Sequence, residues 1–457
     1  MSENTLFDHF ITIDKKLCIG CSHCVRICPT EALRVWSGKA ILEEVKCVDC
    51  GDCVRVCPVS AIGVEQNNIE KKDGDQKRIA LIPSVFWGQF SDDTSRTRIY
   101  NAIKNMGFDD IFEVEKSVEC LSKELEEYVN NRKGEKTISS FCPAIIRLIQ
   151  TRFPELVTSI AHIKSPVELT ALDISRQMKQ EYGEDMSLGL FYITPCAAKA
   201  AAIQNAESEM EFSIKGSINM DIFFNKVNQQ LQLDHEEKYE EIEDPLSPKS
   251  VSWSLRGGES AHLSANSLSI DGMNPSIEFL ENIDKEDFKD IDFLELKACD
   301  QGCAGGILNP QNKFLCVESL KNRAQHNSEQ YTAENNTQCK QTLTKKDYHL
   351  NEIKEMSVLA LDENPAKALK MMNKTRRLMC YLPGFDCGAC GAPSCKALAE
   401  DVAKGNAILS HCVFMQRQME KHHRLSPEHA FNIIESIWGK DRLDKDCNKK
   451  GAINDYS

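Results

Sequence analysis

The chain carries 21 cysteines in 457 residues, and most of them fall into spacings that suit iron-sulfur ligation. Residues 18–29 read Cys-Ile-Gly-Cys-Ser-His-Cys-Val-Arg-Ile-Cys-Pro, and residues 47–58 read Cys-Val-Asp-Cys-Gly-Asp-Cys-Val-Arg-Val-Cys-Pro. This repeated C-x2-C-x2-C-x3-C-P wraps three thiolates around one cubane and sends the fourth to the other cluster of the pair. One cluster therefore takes Cys18, Cys21, Cys24 and Cys57, and the other Cys47, Cys50, Cys53 and Cys28. Zinc is the alternative, but a structural zinc needs only four ligands, with pairs set further apart. His23, inside the first loop, is either a hydrogen-bond donor to sulfur or an exposed side chain. Further along, Cys387, Cys390, Cys395 and Cys412 form C-x2-C-x4-C-x16-C, a third cubane site with zinc again the alternative.

A fourth site is assembled from three segments. Glu295-Leu-Lys-Ala-Cys-Asp-Gln-Gly-Cys-Ala-Gly-Gly306 sets Cys299 and Cys303 ahead of glycines, so that two thiolates and bare backbone meet one inorganic group. A cubane takes about four thiolates, and two more stand in comparable settings: Cys142 in Ser139-Ser-Phe-Cys-Pro143 and Cys196 in Thr194-Pro-Cys-Ala-Ala-Lys199. Any one of them read alone is equally well a small buried hydrophobe; three matching contexts favour one shared site. Cys120, Cys316, Cys339, Cys380 and Cys447 lack such spacing and are expected to be structural or surface thiols.

The segments around these cysteines alternate in type. Ile79–Trp87 is an apolar run of buried-strand length, Ser95–Met106 is helix-like, Phe108–Val114 reads as a strand, and Ser117–Arg132 spaces Val118, Leu121, Leu125 and Val129 as one helix face. This β-α-β-α order predicts an α/β fold of parallel sheets covered by helices, with ligand loops at the carboxyl ends of strands. Thr137–Phe141 leads as a strand into Cys142, with Pro143 opening a helix over 144–152. Leu188–Ile193 leads into Cys196, and Ile291–Leu296 into Cys299. The second and third cysteine loops are expected to face helix starts, whose free N–H groups favour a negatively charged cluster. The charged stretch Glu65–Lys77 reads as a linker, and the tracts His235–Asp244 and Lys321–Gln341 as solvated loops. Helices are expected over 365–374 and 396–404.

The motifs at Cys142, Cys196, Cys299 and Cys303 resemble the three signatures of [FeFe]-hydrogenases, roughly T-S-C-C-P, M-P-C-x-x-K and E-x-M-x-C-x-x-x-C-x-G-G. The resemblance implies that these four cysteines hold a cubane and that Cys303 bridges it to a diiron subcluster with CO and CN ligands, the H-cluster. It makes Lys199 a hydrogen-bond donor to a diiron cyanide. Lys164-Ser-Pro166 resembles a pocket-lining segment, and Arg256-Gly-Gly258 corresponds to the family's glycine pair. Three residues depart from the pattern: Phe141 replaces a proton-relaying cysteine, and Thr194 and Lys297 replace two pocket methionines. Residues 9–65 resemble bacterial two-cluster ferredoxins, and the Cys387–Cys412 spacing resembles the Fe-S module of electron-transport and corrinoid proteins. The implied organisation is a two-cluster 4Fe-4S ferredoxin domain of α+β type over 1–66, a two-lobed hydrogenase-like cofactor domain over 78–370, a small helical 4Fe-4S module over 371–430 and a polar tail over 431–457, with four 4Fe-4S clusters in all.

The formal charge of -14 offers no basic stripe for phosphate contacts, so nucleic acid is not an expected partner. With no signal-like start and no 18-residue apolar run, a cytoplasmic protein that does not span a membrane is expected. Three functions share these cysteines: an H2-handling redox enzyme with a ferredoxin-like acceptor, a slow sensor of H2 or redox state that signals to a regulatory partner, and an electron-transfer or assembly protein with cubanes only. Phe141 favours the sensor, because a phenyl ring relays no proton, and the resemblance extends to a sensory subgroup with extra C-terminal cluster modules. The first two need hydrogenase maturation enzymes as further partners.

Overall fold

Strand β1 (Ile11–Ile13) pairs with β4 (Ile62–Val64), and β2 (Leu33–Trp36) pairs antiparallel with β3 (Lys39–Leu42), so that the two repeated cysteine loops hang from a pair of two-stranded sheets. The structure is a computed structural model that describes residues 7–66, 77–91, 93–183, 186–206, 214–233, 246–285, 288–330, 342–351, 353–356 and 364–443. The chain divides into two compact units. One gathers Ile11–Cys47 and Asp52–Gly63 with Ser357–Ser457; the other gathers Met1–Phe10, Val48–Gly51 and Val64–Met356.

In the first of these units backbone hydrogen bonds and an ion pair join the ferredoxin-like segment to the C-terminal module. The expected helices are present at Pro365–Met379 and Cys395–Lys404. The largely polar stretch 416–457, expected to hold one helix followed by a polar tail from 431, carries the helix Pro427–Trp438, which buries Ala430, Ile433 and Ile437, so the boundary at 431 is corrected. Their three- and four-residue spacing is a short apolar stripe that polar flanks conceal in the sequence. The Val35 N–H donates to the Gly391 carbonyl at 2.8 Å and the Gly38 N–H to that of Ile437 at 2.8 Å. The buried Arg34 guanidinium donates to Asp401 at 2.8 Å. Gly391, at φ +80°, is required by close approach, since a Cβ there would lie 2.3 Å from the Val35 carbonyl oxygen.

The other unit holds two parallel sheets, as the β-α-β-α order predicts. The larger has the order β6 (Asp110–Glu113), β5 (Lys77–Ile82), β8 (Leu188–Thr194), β9 (Ile214–Asn219). The smaller has the order β10 (Ser267–Asp271), β11 (Phe293–Lys297), β7 (Thr137–Ile138). Ile79 to Ile82 are all wholly buried, as befits a parallel strand covered on both faces. The helix Val118–Asn131 buries Val118, Leu121, Leu125 and Val129 as its spacing predicts.

Two further expectations change. Residues 321–330, read as part of a solvated loop, belong to the helix Lys313–Gln330, which buries Cys316, Val317 and Leu320 near its start. Cys120, read as an unpartnered thiol, is disulfide-bonded. The tract 235–244, residues 331–341 with Cys339, most of the linker 65–77, and Cys447 lie outside the described residues. No helix among the described residues is long and apolar enough to cross a membrane.

The helix 427–438 generates a test. Ile437→Ala removes a wholly buried side chain and should lower stability by about 2–5 kcal/mol, read as a shift of the denaturant midpoint at which the C-terminal module loses its fold. A midpoint unchanged from that of the natural protein would return the segment to a solvated tail.

Candidate metal centre

Cys18, Cys21, Cys24 and Cys57 line one small cavity in the ferredoxin-like segment, which is the crossed ligand set that the repeat predicts. Burial pushes the Cys24 thiol up to about 12, with Cys21, Cys18 and Cys57 adding to the shift. Cys53 is likewise pushed up to about 12 by burial, and its nearest thiol influence is Cys28, the crossing ligand from the other loop. Backbone N–H groups aim at sulfur throughout: Ala40 to Cys18 at 3.3 Å, Ala32 to Cys28 at 3.2 Å, and Ala61 to Cys57 at 3.2 Å. Such donors offset the negative charge of a thiolate cluster. His23 is exposed, so the plainer of its two readings holds.

In the C-terminal module Cys395 and Cys412 are buried, Cys390 is half-buried and Cys387 is exposed. Burial pushes Cys390 up to about 11, with Cys412 and Cys387 adding. Asp386 accepts from the Cys395 N–H at 2.6 Å and fixes the turn between the ligands.

The fourth set meets at one cavity of about 300 Å³ lined by Cys142, Cys196, Cys299 and Cys303. Cys142 caps the helix Pro143–Arg152 four residues beyond β7, Cys196 directly precedes the helix Ala197–Ala206 beyond β8, and Cys299 follows β11. The third loop lacks the expected helix start: a single 3-10 turn, Gly302–Gly305, follows Cys299. Glycine is what lets it close. Gly302 has φ +61°, and a Cβ on Gly306 would lie 2.5 Å from the Pro195 carbonyl oxygen in the neighbouring ligand loop. Burial raises the Cys142 thiol and pushes Cys196 up to about 12, Lys199 opposing in both cases. These thiols stay protonated until a metal group displaces the protons.

Lys199 places its ammonium 3.6 Å from the Cys303 sulfur. Burial alone would lower its pKa, but Cys303, Tyr192, Cys196 and Glu115 outweigh this and hold it charged. Among the described residues the buried Tyr192 hydroxyl and Trp253 indole N–H have no hydrogen-bond partner, and both residues line the cavity. Two orphaned donors and a cation beside the Cys303 sulfur fit a larger acceptor-rich anionic group than a bare cubane. Phe141 lines the same wall, 9% exposed, its ring 5.7 Å from that of Trp253. Ser165 and Pro166 from the predicted pocket segment are also there. Thr194 is absent from the lining: its hydroxyl donates to the Cys196 carbonyl at 2.8 Å and accepts from the Cys196 N–H at 3.3 Å, so it positions a ligand.

Lys297 is engaged on every side. Its ammonium pairs with Glu295 at 3.0 Å and Glu259 at 3.1 Å and donates to the carbonyls of Leu255 at 2.9 Å and Trp253 at 3.2 Å. Glu295 in turn accepts from the N–H groups of Gly257 and Ser260. Strand β11 thereby clamps both halves of the loop 253–260, which includes the expected glycine pair. Burial drives Glu259 up to about 7 despite Lys297. Sequence reasoning missed Glu259, Tyr192, Trp253 and Glu115: Glu259, Trp253 and Glu115 lie far from the cysteines in sequence, and Tyr192, four residues before Cys196, reads there as one more apolar strand residue. It also missed that Cys50 of the ferredoxin repeat lines this same cavity.

The parallel sheets, strand-end thiols and repeated cysteine loops define an iron-sulfur protein built around a cofactor domain. Residues 76–245 match the family described as Iron only hydrogenase large subunit, C-terminal domain; the match includes Cys142 and Cys196 and ends before Cys299. Residues 17–61 match the 4Fe-4S dicluster domain, and residues 382–414 an Fe-S cluster family. The chain thus carries a segment similar to the iron only hydrogenase large subunit beside an N-terminal ferredoxin-type iron-sulfur domain. An [FeFe]-hydrogenase structure concerned with oxygen damage to the 2Fe subcluster of its H cluster superposes with TM-score 0.45 at 12% identity, over 64% of this chain and 97% of that one. An [FeFe]-hydrogenase of Chlamydomonas reinhardtii gives TM-score 0.40 at 13% identity, over 58% and 87%. One component of the ion-translocating oxidoreductase complex of Rhodobacter capsulatus is 58% identical over 31 residues, which is 7% of this chain and 17% of that protein.

Two tests follow from this geometry. Cys28→Ala should damage the cluster built mainly by Cys47, Cys50 and Cys53 and spare the one in the Cys18, Cys21, Cys24 and Cys57 cavity, as resolved by electron paramagnetic resonance of the reduced protein; loss of the nearer cluster instead would contradict the crossing. Lys297→Met leaves Glu259 and Glu295 buried without their cation and should cost about 3–5 kcal/mol at and above neutral pH. The sign follows from Glu259. Its folded carboxyl holds a proton up to about pH 7, so stability is full below the usual carboxylate range and falls as pH rises through 7. Without Lys297 that fall should deepen and extend to higher pH, and denaturant midpoints measured against pH would show a loss that is smaller in acid; an equal loss at every pH would refute the assignment.

Proposed function

We propose that the Cys142, Cys196, Cys299 and Cys303 site holds a cubane with a diiron subcluster carrying CO and CN ligands, and that the protein reacts slowly with H2 as a sensor of H2 or redox state. One observation carries this reading: the Lys199 ammonium at the Cys303 sulfur, in a cavity where Tyr192 and Trp253 present unpartnered donors. When bound, the diiron group supplies heterolytic cleavage of H2. Cys303 would bridge it to the cubane, and Lys199, Tyr192 and Trp253 would donate hydrogen bonds to its anionic ligands.

The slow reaction follows from the wall at Phe141. Its ring and that of Trp253 present carbon where a proton acceptor would stand, and general acid-base groups contribute roughly 10²–10⁴-fold in rate. The three buried carboxyls that line the cavity are engaged elsewhere. Asp49 accepts from the Phe10 N–H at 3.1 Å and lies 2.7 Å from the His9 ring nitrogen. Glu115 accepts from the Ser84 N–H at 2.8 Å, and Glu259 is held by the Ser139 hydroxyl and Lys297. Cys50 supports an electron route, since it brings a ligand of one ferredoxin-type cluster to the cavity of the fourth cubane. Electrons would pass to a ferredoxin-like carrier or a regulatory partner, and loading of the site would depend on maturation enzymes.

Infrared spectra of the matured protein should show CO and CN stretching bands that Cys303→Ala abolishes. Their absence from protein with intact cubanes would leave a cubane-only electron-transfer or assembly protein. Phe141→Cys should raise H2 turnover by up to roughly 10²–10⁴-fold while the natural protein keeps its H2-induced spectral change. Rapid turnover by the natural protein would remove the sensory reading.

A further inference from the structure

The C-terminal module inverts the charge of the chain that carries it. Against a formal net charge of -14 for the whole, residues 364–424 hold ten Lys and Arg and four Asp and Glu. Lys367, Lys370, Lys374 and Arg377 recur at three- and four-residue spacing, so they form one stripe along the helix Pro365–Met379. All four are exposed, as is Arg376 beside them. Among the described residues no ion pair neutralises Lys367, Lys370, Arg376 or Arg377.

Beyond the end of this helix the surface turns apolar. Tyr381 is 63% exposed and Phe385 67%, and Phe385 packs on Phe414, itself 45% exposed, with ring centroids 5.3 Å apart. This patch adjoins Cys387, the exposed ligand of the C-terminal set. The opposite side of the same site is closed by the ferredoxin-like segment. Gly391, next to Cys390, accepts from the Val35 N–H, and His411, next to Cys412, stacks on Trp36 with centroids 5.1 Å apart. One rim of the site therefore faces solvent, and the other faces the strand that carries the ferredoxin loops.

We propose that the basic stripe of the helix Pro365–Met379, with Tyr381, Phe385 and Phe414, is the docking surface for an acidic protein electron carrier that exchanges electrons with the C-terminal cluster at Cys387. The inference rests on the redox reading given above and deepens it by naming the point of entry. Charge complementarity selects the partner, since a positive face on an otherwise acidic chain attracts an acidic protein and turns its approach. The apolar rim gives the contact its desolvated centre. In the step itself one electron leaves the reduced carrier, which is oxidised, and the C-terminal cubane is reduced by that electron; no bond forms or breaks.

The test uses the full chain loaded with its cubanes, so that it does not depend on the diiron group. A purified acidic two-cluster ferredoxin, reduced beforehand, is mixed with it, and bleaching of cluster absorbance is followed by stopped flow. Lys367→Glu, Lys370→Glu and Arg377→Glu combined should slow bleaching at least about tenfold at low salt and flatten its salt dependence; the three glutamine replacements should give a smaller loss in the same direction. Bleaching by dithionite and iron content should match the natural protein in both variants. An unchanged rate in the glutamate variant would overturn the proposal. So would a greater loss from Lys15→Glu with Lys16→Glu in the ferredoxin-like segment, faster reduction by a basic carrier, or a salt-sensitive dimer that the same reversals dissolve in sedimentation. If infrared bands are absent while the charge-reversal effect persists, the diiron reading fails and the docking surface stands.

Discussion

Three loops that arrive from different strands must close around a space which their own side chains leave unfilled. Everything near the cavity answers that constraint. Gly306 removes a Cβ that would press on the ligand loop at Pro195 and Gly302 one that would press on the backbone of Ser254, Thr194 fixes the backbone of Cys196, and the Ala298 N–H points at the Cys142 sulfur from 3.5 Å. The thiols are raised by burial, so without a metal group to take their place the protons stay on. The cofactor proposed for this site would take the place of those protons.

Lys297 shows how a departure from a family pattern can be absorbed by the frame. A cation at a position where a thioether is expected would be costly if it faced the cavity unpaired. Here two buried carboxylates and two carbonyls enclose it, and the group of charges ties the loop 253–260 to β11. A buried network of this kind adds little net stability over an apolar replacement. What it supplies is position: the loop that brings Trp253 to the cavity wall has one place to sit.

The grouping of the cysteines in the ferredoxin-type repeat, the C-terminal set and the Cys299–Cys303 pair was legible because tight local spacing encodes it, and the strand-end placement of Cys142, Cys196 and Cys299 was legible because alternating apolar runs mark β-α-β-α order. The helix face Val118, Leu121, Leu125 and Val129 was readable for the same reason. The donors Tyr192 and Trp253, the charge group at Glu259 and the presence of Cys50 beside Cys142 were not. Trp253, Glu259 and Cys50 depend on contacts between residues tens to hundreds of positions apart, where no local period exists, and Tyr192, though only four residues before Cys196, shows its orphaned hydroxyl only in the folded cavity. A helix was expected within 416–457, but its bounds at 427–438 and its buried face of Ala430, Ile433 and Ile437 stand out only once its partner strand is known.

That partner strand ties the time of synthesis to the architecture. Strand β2 is paired with β3 on one side, and on the other Val35 donates to Gly391, far along the chain; Arg34 and Asp401, which brace the same contact, are 367 positions apart. As the chain leaves the ribosome, β2 is made early and its second side waits for segments made hundreds of residues later. Until they arrive it is an open sheet edge, the kind of surface on which chains pair with one another instead of with themselves. Its shortness, four residues with Arg34 in the middle, limits that hazard.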